Sequence, residues 1–516
     1  MLKKLHGRKL AVCLIGGAMY ALFSAFGWQA EHGGVIWAGG ALLVAALLVW
    51  PIAALLAVLL ERGYTRALRR EKTFRAGWAF AFILACYVPM FCVAFPGSFA
   101  YDVPYQLRQV VTGAYSTHHP LLHTLALGGL LQLGRALGDI NLGAALYTAL
   151  QMALLAGCFA LTCGSIARQS GARAAKRAAV FFALYPLNMV MAVNATKDVL
   201  FGGFFALTLA LLNEIQEKPS RGLALKIAAC GALAVMLRNN MAYAALVWLA
   251  ILTIGLRKAE KSAALAMLLA LTVGLCGNAA LKRATRAESG DMSEMLSWPI
   301  QQLARARLYD EERLNDAEKE AIDELMPGEA WKLYDPTISD PVKFEFDTQA
   351  FRADVKKYVG VWLSVGKKCA GTYLDATMAL PYPFFYPYRE YRVSGYYVQM
   401  GMSDAYDAGW CDFDPPESRS LFPRALASLS WRFGAKGAMQ IPVVGWLFNM
   451  GVFFALREMY WGRWRRFGTA LLPVLLWGTF LLGPVMAGRY IYPFVCALPV
   501  LAARPGRSVK EAARHG

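Results

Sequence analysis

The sequence predicts an all-α polytopic membrane protein with about twelve transmembrane helices. Hydrophobic residues make up 57% of the 516 positions and charged residues only 17%, whereas an average soluble domain carries about 25% charged residues. The excess lies in nearly uncharged runs of about 15 to 26 residues, a length that suits a bilayer crossing. Because a soluble protein of this size must cover its surface with polar groups, the composition excludes a soluble enzyme.

The apolar runs give the order of the predicted helices. We interpret twelve of them as spans: 10–28, 35–60, 76–95, 141–165, 178–193, 199–213, 222–237, 241–256, 262–280, 439–456, 468–484 and 488–503. Cytoplasmic connections are rich in Lys and Arg. Such residues precede the first span and fill the second connection: Lys3, Lys4, Arg8 and Lys9, then Arg62, Arg66, Arg69, Arg70, Lys72 and Arg75. We therefore expect the N-terminus in the cytoplasm and, with the basic tail, the C-terminus there too.

The run 121–137 is apolar enough to cross the membrane, but we interpret it as a helix along the outer interface. If it crossed, the basic connection around Arg168 and Arg173 would lie outside and every later loop would invert. If it lies in the interface, all the basic clusters fall inside, and a helix that carries His123 and Arg135 suits that position. The charge pattern therefore favours the interfacial helix.

This topology divides the chain into four parts. They are 1–75 with two helices and a basic loop, 76–280 with the transmembrane core and an outer loop at 96–140, an extracytoplasmic domain at 281–438, and 439–516 with the last helices and a basic tail. The outer domain, of about 150 residues, carries acidic runs unlike the cytoplasmic loops. We expect it to be mainly helical, with one helix over 347–368.

Two features of the outer domain leave alternatives open. The aromatic residues of PYPFFYPYREY would form either the core of the domain, which we prefer, or a face that stacks on sugars: Tyr382, Phe384, Phe385, Tyr386 and Tyr388. Cys369 and Cys411 lie well inside the domain and could close a disulfide in an oxidising compartment. Their spacing alone does not give their distance.

The net charge of +18 would suggest a nucleic-acid partner in a soluble protein. Here the basic residues sit in short loops between apolar runs, as cytoplasmic loops do. The expected partner is therefore the lipid bilayer, and no nucleic acid is expected.

The first outer loop concentrates polar residues. Asp102 lies just past the third span, and His118, His119 and His123 fall within six positions. A carboxylate there can act as a general base or ligate a divalent metal, but it can equally be a helix N-cap. His119 and His123 are four apart, so on a helix begun at Pro120 they could share a zinc ion, although no third ligand stands at a diagnostic spacing.

Three further outer turns carry cations. Lys197 and Asp198 lie in NATKDVLF, Arg238 opens Arg-Asn-Asn, and Arg489 lies in GRYIYP. Lys point charges and Arg forks are the groups that hold phosphates. If these turns meet in space, they form an outward-facing cationic pocket beside a carboxylate, which suits a phosphate-linked lipid substrate.

Seven segments, spread over nearly the whole chain, carry a resemblance to a known family. They are FPGSFAYDVPYQ (95–106), HHP (118–120), TKDVLF (196–201), RNN (238–240), SEMLSWPIQQLAR (293–305), YDPTISDPVK (334–343) and GRYIYP (488–493). In this order they resemble the GT-C superfamily of integral membrane glycosyltransferases, which use polyprenyl-phosphate-linked sugars. The chain is more closely similar to an uncharacterised bacterial branch of that type.

The resemblance implies roles for these residues. It makes Asp102 the catalytic base, places His118 and His119 in the cleft, and brings the three cations onto the lipid phosphate. It marks further substrate-binding residues: Tyr101, Gln106, Asp198, Asn239, Gln301, Gln302, Arg305 and Tyr490. Many GT-C enzymes have paired acids in the first loop, but Val103 follows Asp102 here, so no cofactor is certain and a divalent metal ion stays an alternative.

The implied reaction is an inverting sugar transfer on the outer face of a bacterial cell membrane, from a polyprenyl-phosphate donor to a glycan, lipid or protein of the cell envelope. The alternative is a transporter or flippase of lipid-linked saccharides, which would place ionisable groups near the midplane and often contain broken helices. The charges lie at one face, although Pro186 and Asn188 within 178–193 favour this rival. A third reading is a scaffold in which Asp102 is dispensable.

The topology predicts which side of the membrane the loop after the fourth span occupies. A single cysteine at Ser170 (Ser170→Cys in a variant without the native cysteines) should react with an impermeant thiol reagent only after the membrane is opened, because the basic loop lies inside. Labelling of intact cells at this position would mean that 121–137 crosses the membrane.

Overall fold

The computed structural model describes residues 5, 7–32, 39–62, 74–100, 102–255, 261–290, 292–386, 420–423, 444–485 and 488–503. The structural statements below concern these residues. Cys411 and Tyr388 lie outside them, as does Tyr101, so the proposed Cys369–Cys411 pair has no described geometry.

The described chain is helical apart from two short strands, which confirms the all-α class. The helices are α1 (Arg8–Glu31), α2 (Gly39–Arg62), α3 (Ala76–Val93), α4 (Val103–Thr112), α5 (Leu121–Ala136), α6 (Ile140–Ser170), α7 (Ala172–Leu184), α8 (Pro186–Ala192), α9 (Lys197–Glu217), α10 (Arg221–Leu237), α11 (Asn239–Gly255), α12 (Lys261–Thr285), α13 (Ser297–Tyr309), α14 (Asp316–Leu325), α15 (Asp340–Phe344), α16 (Thr348–Ala353), α17 (Val355–Lys368), α18 (Ala370–Ala379), α19 (Tyr382–Phe385), α20 (Val444–Tyr460), α21 (Trp464–Leu481) and α22 (Tyr492–Ala502). Short 3₁₀ turns cover Met292–Leu296, Glu311–Arg313, Pro327–Leu333 and Gly488–Ile491. The strands are β1 (Ser98–Phe99) and β2 (Asn194–Ala195).

Six of the described helices are long and apolar enough to cross a membrane: α1, α2, α3, α6, α9 and α12. Shorter apolar helices cover Asn239–Leu252 and Arg489–Ala502. On α2 the side chains of Leu43, Leu47 and Trp50 are at least 60% exposed, and a patch of this kind fits a lipid environment rather than water. The chain is therefore a membrane protein by composition and helix length, while the total of about twelve spans stays a prediction.

The predicted span 178–193 is wrong as a single helix, because the structure breaks it into α7 and α8 between Leu184 and Pro186. Proline has no N–H and disfavours a helical residue before it. The carbonyl groups freed by the break are satisfied locally. Phe182 O accepts hydrogen bonds from Tyr87 Oη at 2.8 Å and from Asn188 Nδ2 at 3.2 Å.

α3 and α6 run antiparallel, and this places α4 and α5. Gly164, near the end of α6, lies beside Ala76 at the start of α3, and Gly97, just after α3, lies beside Thr148 near the start of α6. α4 and α5 connect the end of α3 to the start of α6, so the segment that holds them leaves and returns at the same end of the bundle. We call this the β end, because the two strands lie there.

The opposite end of the bundle carries Lys and Arg residues that form ion pairs with glutamates. Arg168 binds Glu214 through two hydrogen bonds of 2.5 and 2.8 Å. Lys9 lies 2.6 Å from Glu61, and Arg466 lies 3.2 Å from Glu217. The connections that the sequence assigns to the cytoplasm therefore supply the charges of one end.

Residues 292–379 form a small helical unit with its own core, in which Leu303, Ile322, Trp331 and Val365 are buried. The unit is attached to the stretch that follows α21. Trp298 Nε1 donates to Leu481 O at 2.9 Å, and the backbone N–H of Ser339 donates to Pro484 O at 2.8 Å. The unit therefore fixes the segment that leads into Gly488–Ile491.

Two expectations for this region are corrected. The predicted helix 347–368 divides at Asp354, whose Oδ1 accepts the N–H of Lys357 at 2.9 Å and so caps α17. The aromatic run is core, but the core is that of the bundle: Phe384 packs on Trp477 and Phe385 on Phe23, with ring centroids 5.2 and 5.3 Å apart. A Pro/aromatic pattern predicts burial but not against which helices.

The packing of α5 on α6 makes a testable prediction. A Cβ atom at Gly134 would lie 2.5 Å from the backbone N of Gly143, and a backbone atom cannot give way cheaply. Gly134→Ala should therefore lower the free energy of unfolding by about 1–3 kcal/mol, measured as thermal unfolding in detergent. The matched control is Gly129→Ala on the same helix, where the added Cβ meets no atom within 4 Å. Equal stability of the two variants would contradict the contact.

Candidate functional site

β1 and β2 pair in parallel and bring two distant segments together at the β end. Ser98 is opposite Asn194 and Phe99 is opposite Ala195, and the N–H of Ser98 donates to Val193 O at 2.9 Å. Three residues after β1 the chain reaches Asp102, and two residues after β2 it reaches Lys197. The strand pair therefore sets the separation of an acid and a cation that are 95 positions apart.

Asp102 occupies the N-cap position of α4, yet its side chain makes no capping hydrogen bond. Its carboxylate binds two cations instead. Oδ2 accepts from Lys197 Nζ at 2.9 Å and Oδ1 accepts from Arg489 Nη2 at 2.8 Å. His119 Nδ1 lies 3.9 Å from Oδ2. Asp102 therefore stands at the N-cap position, as one of the alternatives from the sequence has it, but its carboxylate forms ion pairs instead of capping the helix.

Asp198 and Arg238 form the second half of the cluster. Thr196 is the N-cap of α9, which makes Lys197 and Asp198 the first two helical residues. Asp198 is fully buried and forms ion pairs with Arg238 and, at 3.6 Å, with Nε of Arg489. The guanidinium of Arg238 also lies 4.3 Å from the ring centroid of Tyr490. Arg489 therefore lies between the two carboxylates.

We call Asp102, Lys197, Asp198, Arg238 and Arg489 the ion cluster. All five side chains are almost fully buried, with at most 13% exposed. Burial by itself raises the pKa of Asp102, but the charges of Arg489 and Lys197 outweigh it and hold the pKa well below its usual range. Burial, reinforced by Lys197, lowers the pKa of His119, so that imidazole is neutral at pH 7. The cluster thus carries one net positive charge.

His123 does not share a metal site with His119. Its Nδ1 lies 3.1 Å from Gln106 Oε1 and its Nε2 lies 2.9 Å from Tyr147 Oη. Both ring nitrogens are therefore used in a buried network. Burial also lowers the pKa of His123 to about 3. Among the described residues, no three His, Cys, Asp or Glu side chains gather in a way that could hold a metal ion.

The network continues to β2 through residues that the sequence did not single out. Neutral His123 donates from Nδ1 to Gln106 and accepts the O–H of Tyr147 at Nε2, and Tyr147 Oη lies 3.1 Å from Gln151 Oε1. Gln151 Nε2 donates to Ala192 O and Asn194 O at 3.0 and 2.9 Å. This amide therefore holds β2, and with it the start of α9. The available signal was a single glutamine inside the apolar run 141–165, where an uncharged polar side chain needs a partner.

Other predicted site residues make no described contact with the five residues of the ion cluster. Gln106 is buried in the His123 network. His118 is exposed and packs edge-on against the ring of His119, with centroids 4.6 Å apart, and Asn239 is exposed. Gln301 Nε2 donates to Asp335 O and Ile338 O at 2.9 and 3.0 Å. Arg305 Nη1 donates to Tyr334 Oη at 3.0 Å.

Gln302 accepts from Trp362 Nε1 at 2.8 Å and donates to Thr377. Like Gln301 and Arg305, it therefore makes its contacts inside the small helical unit. The sequence predicts that these three residues are polar positions on one helix. It does not show that their side chains face the interior of the small helical unit. No described contact joins Gln301, Gln302 or Arg305 to the ion cluster, so their predicted role in a cleft has no support from the structure.

The side chains of the ion cluster are almost fully buried. Two small cavities in the described part of the chain lie elsewhere, one beside Phe448 and Trp477 and one beside Arg457 and Arg466. Within the cluster, Nε of Arg238 and Nε of Arg489 are buried donors with no hydrogen-bond acceptor among the described residues. Such donors normally have a partner, so the cluster retains capacity for an anionic ligand.

Fold and site together define a helical membrane protein with a buried ion cluster at one end of its bundle. The model of a family of unknown function, DUF6020, matches residues 111–515. The chain therefore belongs to this family. No curated protein and no solved structure matches the chain.

The pairing of Asp198 with Arg238 makes a testable prediction about stability. Arg238→Met leaves a buried carboxylate without its main partner, which costs about 3–5 kcal/mol. The double variant Arg238→Met Asp198→Asn should lose less than the sum of the two single losses, by about 0.5–3 kcal/mol of coupling. The measurement is unfolding in detergent, with Arg108→Met, an exposed arginine of α4, as the control. Additive losses would mean that the two side chains are not coupled.

Proposed function

We propose that the protein is a membrane glycosyltransferase that transfers a sugar from a polyprenyl-phosphate donor to a cell-envelope acceptor. The observation that carries the proposal is the ion cluster, in which an acid and three cations from four distant turns meet at one end of an apolar bundle. A lipid substrate with a phosphate group brings its charge to the boundary between lipid and water, where such a cluster can bind it. The motif resemblance to GT-C enzymes points the same way.

In this proposal Asp102 is the general base. The acceptor's hydroxyl oxygen forms a bond to the anomeric carbon while the bond from that carbon to the phosphate oxygen breaks, and its electron pair stays on the phosphate. The proton of the hydroxyl passes to Asp102. Lys197, Arg238 and Arg489 bind the phosphate and stabilise the charge that develops on it. Inversion at the anomeric carbon follows from this single displacement.

The positive balance of the cluster supports an anionic ligand. Three cations face two carboxylates, and two guanidinium N–H groups have no acceptor among the described residues. A phosphate oxygen is a suitable acceptor for both. Because the two carboxylates already bind side-chain cations, we assign charge neutralisation to these cations rather than to a divalent metal ion.

For localisation we propose a bacterial cell membrane, with the ion cluster on the extracytoplasmic side and both termini in the cytoplasm. The support is the position of the basic connections. The end opposite the cluster carries the Lys and Arg residues of the short connections, and such residues mark the cytoplasmic side.

The rival function is a transporter or flippase of lipid-linked saccharides, and the break between α7 and α8 is the observation that favours it, since broken helices often line transport sites. The carbonyl at this break is already bound by Tyr87 and Asn188, which leaves little for a substrate to coordinate. Movement of a labelled lipid-linked saccharide from one leaflet of a proteoliposome membrane to the other, without any sugar transfer, would favour the transporter.

The catalytic prediction concerns Asp102. Asp102→Asn should lower sugar transfer from polyprenyl-phosphate sugars in membranes by about 10²–10⁴-fold, the usual contribution of a general base, with normal expression and extraction. Asp139→Asn is the matched control, because Asp139 is an exposed N-cap at the same end and asparagine caps a helix equally well. Unchanged transfer by Asp102→Asn would remove Asp102 from the mechanism and favour a scaffold.

A further inference from the structure

In the described structure both oxygens of the proposed base are bound to cations. Oδ1 of Asp102 accepts from Arg489 and Oδ2 accepts from Lys197, at 2.8 and 2.9 Å. Cations this close stabilise the ionised carboxylate and so make it a weaker acceptor for a proton. The two cations that weaken Asp102 as a base are also the ones that a phosphate would use.

We propose that the donor's phosphate and the carboxylate of Asp102 compete for Lys197 and Arg489, so that binding of the donor releases Asp102 to act as the base. This inference rests on the proposed function. It makes the base available only when a phosphate-linked donor is present. The acceptor is therefore not deprotonated before the donor is bound.

The arrangement around Arg489 allows the exchange. Its guanidinium lies between Asp102 and Asp198, with Nε 3.6 Å from the second carboxylate. When a phosphate replaces Asp102, Arg489 keeps a negative partner in Asp198 and is never left as a lone buried charge, which would be costly. The unpartnered Nε of Arg238 gives the phosphate a further donor without breaking any pair.

Charge counting favours a monophosphate-linked donor over a diphosphate-linked one. The cluster carries one net positive charge, and a lipid–phosphate–sugar diester carries one negative charge, so the loaded site is neutral. During transfer the acceptor's proton neutralises Asp102 and the electron pair of the broken bond makes the phosphate a dianion. The site therefore stays neutral before and after the reaction, as a buried site prefers. A diphosphate-linked donor would bring a surplus charge.

The test measures binding to the full-length protein in nanodiscs of zwitterionic lipid, with farnesyl phosphate as the probe. Asp102→Asn removes the competitor, so this variant should bind the probe more tightly than the wild type, by a factor of about 5 to 150, the usual range of coupling between two ligands. Asp139→Asn should bind like the wild type. Inorganic phosphate and farnesol, tested in parallel, separate recognition of the phosphate from recognition of the lipid chain.

A second measurement uses the wild type alone. At pH 8 the probe is a dianion, so its binding should be accompanied by uptake of about one proton, which calorimetry in two buffers of different ionisation enthalpy detects. Asp102→Asn should take up none. Equal affinity of wild type and Asp102→Asn, or wild-type binding without proton uptake, overturns the exchange.

These outcomes separate the two proposals. Loss of transfer in Asp102→Asn without tighter binding leaves the glycosyltransferase in place and removes the exchange. Tighter binding with unchanged transfer keeps the competition for the cations but removes Asp102 as the base. If Asp102→Asn does not fold, proton uptake by the wild type decides alone, and binding of the probe without that uptake contradicts the exchange.

Discussion

The burial of the Asp102 carboxylate between Lys197 and Arg489 is the interaction on which the β end depends. A buried charge is tolerated only when it is paired and hydrogen-bonded, so the three side chains must arrive together. They come from the start of α4, the start of α9 and the turn before α22. Tertiary contacts therefore fix the three connecting turns. The pairing of β1 with β2 holds the first two, and contacts with the small helical unit hold the segment before Arg489.

A network of uncharged polar side chains supports the ion cluster. Gln106, His123, Tyr147 and Gln151 form a continuous buried chain that ends on the carbonyl groups flanking β2. Because burial keeps His123 neutral, the chain adds no charge beside the ion cluster. Its role in this structure is to hold the backbone on which Lys197 and Asp198 stand. Polar networks of this kind fix geometry only when every member is satisfied, and here the histidine uses both of its nitrogens.

The small helical unit acts on the cluster through the backbone. Gln301 binds the carbonyl groups of Asp335 and Ile338, and the neighbouring Ser339 binds Pro484, a few residues before Arg489. Gln301 therefore helps to position the backbone before Arg489 without touching the ion cluster.

The sequence by itself determined the class of protein, the helical content and the chemical kind of residue at the site, because length and polarity of a run are local properties. It also identified Asp102, Lys197, Arg238 and Arg489 as charged residues next to apolar spans, where burying a charge costs free energy. Only the tertiary structure decided that these turns meet, that His123 belongs to a different network from His119, and that Gln301, Gln302 and Arg305 bind inside their own unit. Those outcomes depend on which surfaces pack together across up to 387 positions of chain, and no local pattern encodes a partner that far away.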